Sequence, residues 1–264
     1  MTTSDAPVSV SHVALTVRDL PRTGDFYRRV LGLNDLTSDG DSLTLGQGDT
    51  RLLELRRDPD ARPQPRGAGL FHTAFLLPHR DDLGRWLRHA VALDLRLDGA
   101  SDHLVSEAVY LRDPEGNGIE IYADRPRSSW KTDGVRVQMD TVALDVPGLM
   151  RAPGDWTAAP DGTVIGHVHL QVGDIPQAEA FYAGELGFDL TSQINGASFY
   201  ATGGYHHHLA TNIWNSRGAG PRGADTAGLA ELVLSADADS IARLGRREWH
   251  DPWGNRVVVA SRAA

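Results

Sequence analysis

The 264-residue sequence contains no cysteine, which excludes disulfides and thiolate metal sites and suits a reducing compartment. No apolar run approaches the roughly 20 residues that a membrane helix needs. The first residues, MTTSDAPVS, lack a basic region followed by an apolar one, so no signal peptide is expected. Net charge is −9 and Lys/Arg residues form no cluster or stripe, which argues against a nucleic-acid or acidic-membrane surface. The expectation is a cytoplasmic protein that meets neither nucleic acid nor membrane. Hydrophobic residues make up 41% of the chain, enough for substantial cores.

What the sequence does have is a repeat. SHVALTVRDLP (residues 11–21) returns as GHVHLQVGDIP (residues 166–176), and DFYRRVLGL is answered by AFYAGELGF. His12 meets His167, Asp19 meets Asp174 and Pro21 meets Pro176, a spacing of 155 residues (167 minus 12). DPEGNGIEIY (113–122) is likewise answered by DPWGNRVVVA (251–260). Such self-similarity defines the unit of architecture.

Each unit reads as strand, helix, then further strands. Residues 9–17 are β-branched and alternating, as a strand requires. After Pro21, Phe26, Val30 and Leu31 fall on one helical face, and Gly32 ends the helix. Short strands broken by Gly and Asp turns follow. A second unit begins at GLFHTAFLLP, after the Pro/Gly-rich segment 58–69. Residues 125–164 read as a linker with one strand signal at VRVQMDTVAL. A third unit runs from IGHVHLQV to HHHLATNIW, and a fourth from GLAELVLSA to DPWGNRVVVA. The expected fold is α+β, with four βαβββ modules paired into two partial β-barrels. Adjacent modules would pair: 9–57 with 70–124 in a domain spanning 1–124, a linker at 125–164, and a second domain at 165–264.

Chemistry concentrates at the ends of these units. His12 opens the first unit and His72, in FHTAF, holds the matching place in the second. Glu120 lies between Ile119 and Ile121 on the unit's last strand, so it points away from its apolar neighbours. Two imidazoles and one carboxylate converging in the hollow of a curled sheet form the facial triad of non-haem Fe(II), which leaves positions open for substrate and oxygen. Each residue alone has a bland alternative, a hydrogen-bonded core histidine or a half-exposed glutamate. Their coincidence at equivalent positions favours a metal site.

Four segments carry a resemblance to a known family: SHVALTVRDLPRTGDFYRRVLGL, GLFHTAFLLPHRDDLGRWLRH, GASDHLVSEAVYLRDPEGNGIEIYADRP and GGYHHHLATNIWN. Through them the chain resembles the vicinal oxygen chelate superfamily (glyoxalases, bleomycin-resistance proteins and type I extradiol dioxygenases), and more narrowly its two-domain catechol-2,3-dioxygenase-like members. The resemblance implies paired βαβββ modules around a divalent metal, with ligands at His12, His72 and Glu120. It implies ring-cleaving oxygenation of a catechol-like aromatic, with Fe(II) as the metal and Mn(II), Zn(II) or Ni(II) as alternatives, and O2 and a small molecule as partners. Tyr110, ten residues before Glu120, falls where the family places an acid–base tyrosine, and His103 is the nearest candidate for its histidine partner. The superfamily pairs barrels within or between chains, so a homodimer is an open alternative.

Two departures bear on that reading. In the second half, Glu231 stands where His72 would be and Val258 where Glu120 would be, so that half is expected to lack the standard site. His167, His169 and the run His206–His208 could still form an unusual one. The first module's late strand, TRLLELR, also lacks the further histidine of well-studied relatives. Its Glu54 lies close to where glyoxalase I-like relatives carry a fourth ligand, which implies a metal-dependent isomerase or lyase as the alternative activity. A non-catalytic ligand-sequestering protein of the bleomycin-resistance type is the third class.

Overall fold

A computed structural model describes residues 5–262. The first module contains β1 (Val8–Val17), α1 (Leu20–Leu31), β2 (Asn34–Ser38), β3 (Ser42–Gln47) and β4 (Thr50–Arg57). The second contains β5 (Gly69–Leu77), α2 (Arg80–Ala92), β6 (Leu97–Asp102), β7 (Ser106–Arg112) and β8 (Gly118–Asp124). Between the halves lie the two-residue strands β9 (Thr132–Asp133) and β10 (Arg136–Val137) and the single turn α3 (Val146–Leu149). The third module contains β11 (Val164–Gln171), α4 (Ile175–Glu179), β12 (Asp189–Ile194), β13 (Ala197–Ala201) and β14 (Leu209–Asn212). The fourth contains β15 (Gly228–Ala236), α5 (Ala238–Leu244), β16 (Glu248–His250) and β17 (Arg256–Ser261).

The local signals work as their chemistry requires. Asp19 caps α1 by accepting from the Arg22 N–H at 3.1 Å, and Pro21 sits in the first turn, where a missing N–H costs nothing. Gly32 closes the helix in the left-handed region at φ 70°, its N–H donating to the Arg28 carbonyl at 2.9 Å. Tyr27, Val30 and Leu31 face inward. In α2 the buried face is Leu83, Trp86, Leu87 and Ala90, and Trp86 Nε1 donates to the Val30 carbonyl of α1 at 3.0 Å. One apolar cluster joins β1, β4, both helices, β5 and β8 into a shared core.

Module pairing departs from the expectation of adjacent partners. The first sheet runs β16-β17-β15-β1-β4-β3-β2 and the second β12-β13-β14-β11-β5-β8-β7-β6. Modules one and four therefore share one sheet, through antiparallel β1 and β15, and modules two and three share the other, through antiparallel β5 and β11. The split at 1–124 and 165–264 does not describe the sheets. All four opening strands have the same alternation and so the same pairing edge; the repeat says what each module is, and not which module it abuts. The expected strand near 135–144 contracts to β10, and the linker packs on α2. Arg88 donates to the Ala152 carbonyl at 2.6 Å, and a side chain at Gly84 would strike the Leu149 carbonyl. Among the described residues no helix is long and apolar enough to cross a membrane.

Candidate metal centre

The second sheet gathers its ligands by register. On β5, Ala74 lies between Glu120 of β8 on one side and His167 of β11 on the other. His72 is two residues earlier on β5 and so projects from the same face. The methyl of Ala74, fully buried, leaves room for a carboxylate and an imidazole to meet above it. A bulge in β11 between Ile165 and His167 turns the histidine inward; it contains Gly166, where any Cβ would collide with the Tyr122 hydroxyl.

Three ligand atoms converge there, within 4.8 Å of one another: one each from His72, Glu120 and His167, all buried. His167 Nε2 lies 3.1 Å and His72 Nε2 3.0 Å from the same Glu120 oxygen. His72 Nε2 nevertheless makes no hydrogen bond, and His167 Nδ1 is also buried without a partner. Such orphaned atoms are costly unless something else satisfies them. Burial drives the His167 imidazole down to about 4 despite Glu120 beside it. The Glu120 carboxyl, which burial alone would push up, is held well below its usual range by His167 and His72. A neutral imidazole and an ionised carboxylate are the states in which these groups ligate. The donor set, its convergence and its unsatisfied nitrogen fit a divalent metal of the two-histidine, one-carboxylate class.

The centre opens into a cavity of about 620 Å³. One wall is aromatic: Phe71, His169 and Trp214 have ring centroids 5.1–5.5 Å apart, and His169 is 5.0 Å from the His72 ring. Tyr110 enters opposite Glu120 in the β7–β8 ladder, which is why the two are ten residues apart. Burial, and then the charge of Glu120, push its phenol well above the usual value, so it stays protonated. His103 Nδ1 lies 2.9 Å from the Asp140 carbonyl, which can only accept, so Nδ1 carries the proton. In the neutral ring Nε2 then accepts the Tyr110 hydroxyl at 2.6 Å. His207, just before β14, also lines the cavity, its ring 4.0 Å from that of His167.

His12 and Glu54 lie elsewhere. Both are on the first sheet, on the paired strands β1 and β4. Arg51 Nη1 lies 3.3 Å from His12 Nε2; a guanidinium can only donate, so the lone pair needed for a metal is taken. Burial and Arg51 lower the His12 imidazole to about 4. Glu54 is paired with Arg51 at 3.1 Å and Arg56 at 2.7 Å. Glu231 is paired with Arg256 and lies 3.7 Å from Arg56, and Val258 offers no ligand. Two of the three triad positions read from sequence, His72 and Glu120, thus come together, and His167 takes the place assigned to His12. The expected fourth ligand, Glu54, is not brought to the group. The repeat had already aligned His167 with His12; the missing information was the strand order. The same reordering puts the His206–His208 run beside the metal group.

Comparison with known proteins agrees with this architecture. A family model described as Glyoxalase/Bleomycin resistance protein/Dioxygenase superfamily matches residues 9–121 and 164–259. The protein named "Catechol-2,3-dioxygenase" from Bacillus subtilis (strain 168) is 42% identical over 241 residues, covering 87% of this chain and 83% of the relative. A solved structure from Bacillus subtilis subsp. subtilis str. 168 superposes with a TM-score of 0.65 at 13% identity, covering 96% of this chain and 84% of that one. Glyoxalase I from Zea mays superposes with a TM-score of 0.56 at 16% identity, covering 98% and 94%. The latter two likenesses concern the fold. By the matched family model and the extent of the Bacillus relative, the chain belongs to the glyoxalase/bleomycin resistance protein/dioxygenase superfamily.

Proposed function

We propose that this protein is an extradiol-type ring-cleaving dioxygenase acting on a catechol-like aromatic, with the metal held by His72, Glu120 and His167. The observation that carries the reading is the convergence of three buried ligand atoms within 4.8 Å at the base of an aromatic-walled cavity. The name and extent of the Bacillus relative support the choice of chemistry. Fe(II) is the favoured metal, and Mn(II) accepts the same ligands. When bound, the metal supplies a Lewis-acidic centre with open positions for a diol and the redox chemistry of ring cleavage.

The chain's own residues hold the ring and manage protons. Phe71, Phe199 and Trp214 clasp an aromatic face and exclude water. His207, kept neutral chiefly by burial, takes a proton from a substrate hydroxyl. Tyr110 keeps its phenol proton and donates it to His103 Nε2; that bond, with His103 itself fixed by the Asp140 carbonyl, holds the phenol oxygen in place at the cavity wall. The diol, the cavity wall and the proton-handling groups are thus held together before reaction.

The test is anaerobic reconstitution with Fe(II), followed by measurement of catechol-dependent O2 uptake and formation of a yellow ring-fission product. Absence of uptake across a broad panel of substituted catechols, in protein shown to hold stoichiometric Fe(II), rejects the proposal.

A further inference from the structure

The histidine run His206–His208 contains more than the cavity group His207. Behind it lies a buried polar chain that the proposed chemistry leaves unused. On β8, Glu120, Tyr122 and Asp124 alternate onto one face, so the strand that supplies the metal carboxylate supplies a second carboxylate four residues on. Asp124 Oδ1 lies 3.0 Å from His206 Nε2, and its other oxygen accepts the Tyr205 hydroxyl at 3.0 Å. The Tyr205 oxygen in turn lies 2.8 Å from the Tyr122 hydroxyl. His206 Nδ1 lies 2.7 Å from His207 Nδ1. His206 is fully buried and His207 nearly so.

Donor and acceptor roles along this chain are constrained. An ionised carboxylate only accepts, so His206 donates from Nε2. In a neutral His206 the other nitrogen, Nδ1, is then an acceptor. With His206 neutral, the proton in the contact between the two rings comes from His207 Nδ1. That leaves His207 Nε2, on the far side of its ring, with a free lone pair.

We infer that Asp124 and His206 are positioning residues that fix His207 in its Nδ1–H tautomer and present Nε2 as a proton acceptor to the cavity. Two modules cooperate in this: Asp124 comes from module two, the histidines from module three. The logic matches a carboxylate that orients a catalytic imidazole in a hydrolase triad, with a second imidazole inserted between them. Nε2 as the acceptor of the substrate proton rests on the proposed dioxygenase reading; the tautomer itself does not.

The experiment is 15N NMR of the full chain labelled at histidine, recorded at pH 8 with and without diamagnetic Zn(II), with His207 assigned from His207→Gln. The wild type is expected to show His207 protonated at Nδ1 and unprotonated at Nε2. Asp124→Asn, whose side-chain amide can donate to His206 as well as accept, is expected to abolish that single tautomer. His206→Gln serves as the second variant should Asp124→Asn fold poorly, and each must retain wild-type metal content. In Fe(II) protein that turns over a catechol, both variants should lower kcat about 100-fold, within the range of a general base, with KM little changed. A His207 protonated at Nε2 in the wild type, or the same tautomer in wild type and both variants, overturns the inference. Failure of catechol turnover with the expected tautomer present would instead reject the dioxygenase reading alone.

Discussion

Replacing His12 and His167 one at a time separates the two ways of pairing the modules. If His167 is a ligand, a divalent ion stabilises the wild type by RT ln(1 + [M]/Kd), about 2.7 kcal/mol at a hundredfold excess over Kd. For a chain of this size that corresponds to a rise in Tm of about 5–10 °C. His167→Ala should lose that increment, because only His72 and Glu120 of the converging group remain as donors. His12→Ala should behave in the opposite way. It removes the contacts with Arg51 at 3.3 Å and Ser11 Oγ at 3.1 Å, at a net cost of about 1 kcal/mol each, so the baseline Tm falls while the metal increment survives. The assay is scanning calorimetry with and without Mn(II), alongside the metal content of protein purified after loading. Loss of metal in His12→Ala with retention in His167→Ala would refute the strand order and the site built on it.

Other perturbations follow from the same geometry. Ala74→Val places two methyl groups beneath Glu120 and His167; metal content should collapse while stability drops by only about 1–3 kcal/mol, measured by plasma spectrometry and urea unfolding. Tyr110→Phe should keep the metal yet reduce kcat about 100-fold in the O2-uptake assay; an unchanged rate would remove Tyr110 from the chemistry. The metal-free protein should weaken in mild acid, because His167 titrates at about 4 when folded and at 6.5 when unfolded. Between those values the unfolded chain binds more protons, so stability falls as pH drops from 6.5 and levels off below 4, by on the order of 3 kcal/mol for this group. Urea midpoints that do not move between pH 7.5 and 4.5 would contradict the burial of a neutral imidazole there.

Much of this arrangement could be read from residues alone, and the reason for the remainder is specific. The module boundaries, the α1 caps at Asp19 and Gly32, and the inward direction of Glu120 all rest on local chemistry: alternation, capping and turn residues. His72, Glu120 and Tyr110 belong to one module, and their relation is fixed by two ladders within that module, β5 with β8 and β7 with β8. The third candidate ligand comes from another module, and nothing local distinguishes His12 from His167. Deciding between them needs the β5–β11 pairing, which joins residues about a hundred positions apart. The same gap made the His206–His208 run look remote from the metal.

Register explains why two copies of one repeat ended with different chemistry. In the second sheet His167 pairs with Ala74, and Ala74 with Glu120; in the first His12 pairs with Val233, and Val233 with Val258. His169 pairs with His72, and Ala14 with Glu231. On the other flank Val168 pairs with Leu209 and Val13 with Leu53, so counting back two residues sets His207 against Arg51. The first sheet thus has valine where the metal sheet has alanine and glutamate, and arginine where it has a neutral histidine. The valines occupy the floor on which a carboxylate would stand. Arg51 donates to the His12 nitrogen that would otherwise bind, whereas the ring of His207 lies tilted against that of His167 and leaves the His167 Nε2 free to face Glu120. Arg51, Arg56 and Arg256 also neutralise Glu54 and Glu231, two carboxylates that could have ligated. The histidine at the head of the repeat is therefore permissive only; its neighbours across the sheet decide whether it faces the His72–Glu120 pair or a guanidinium.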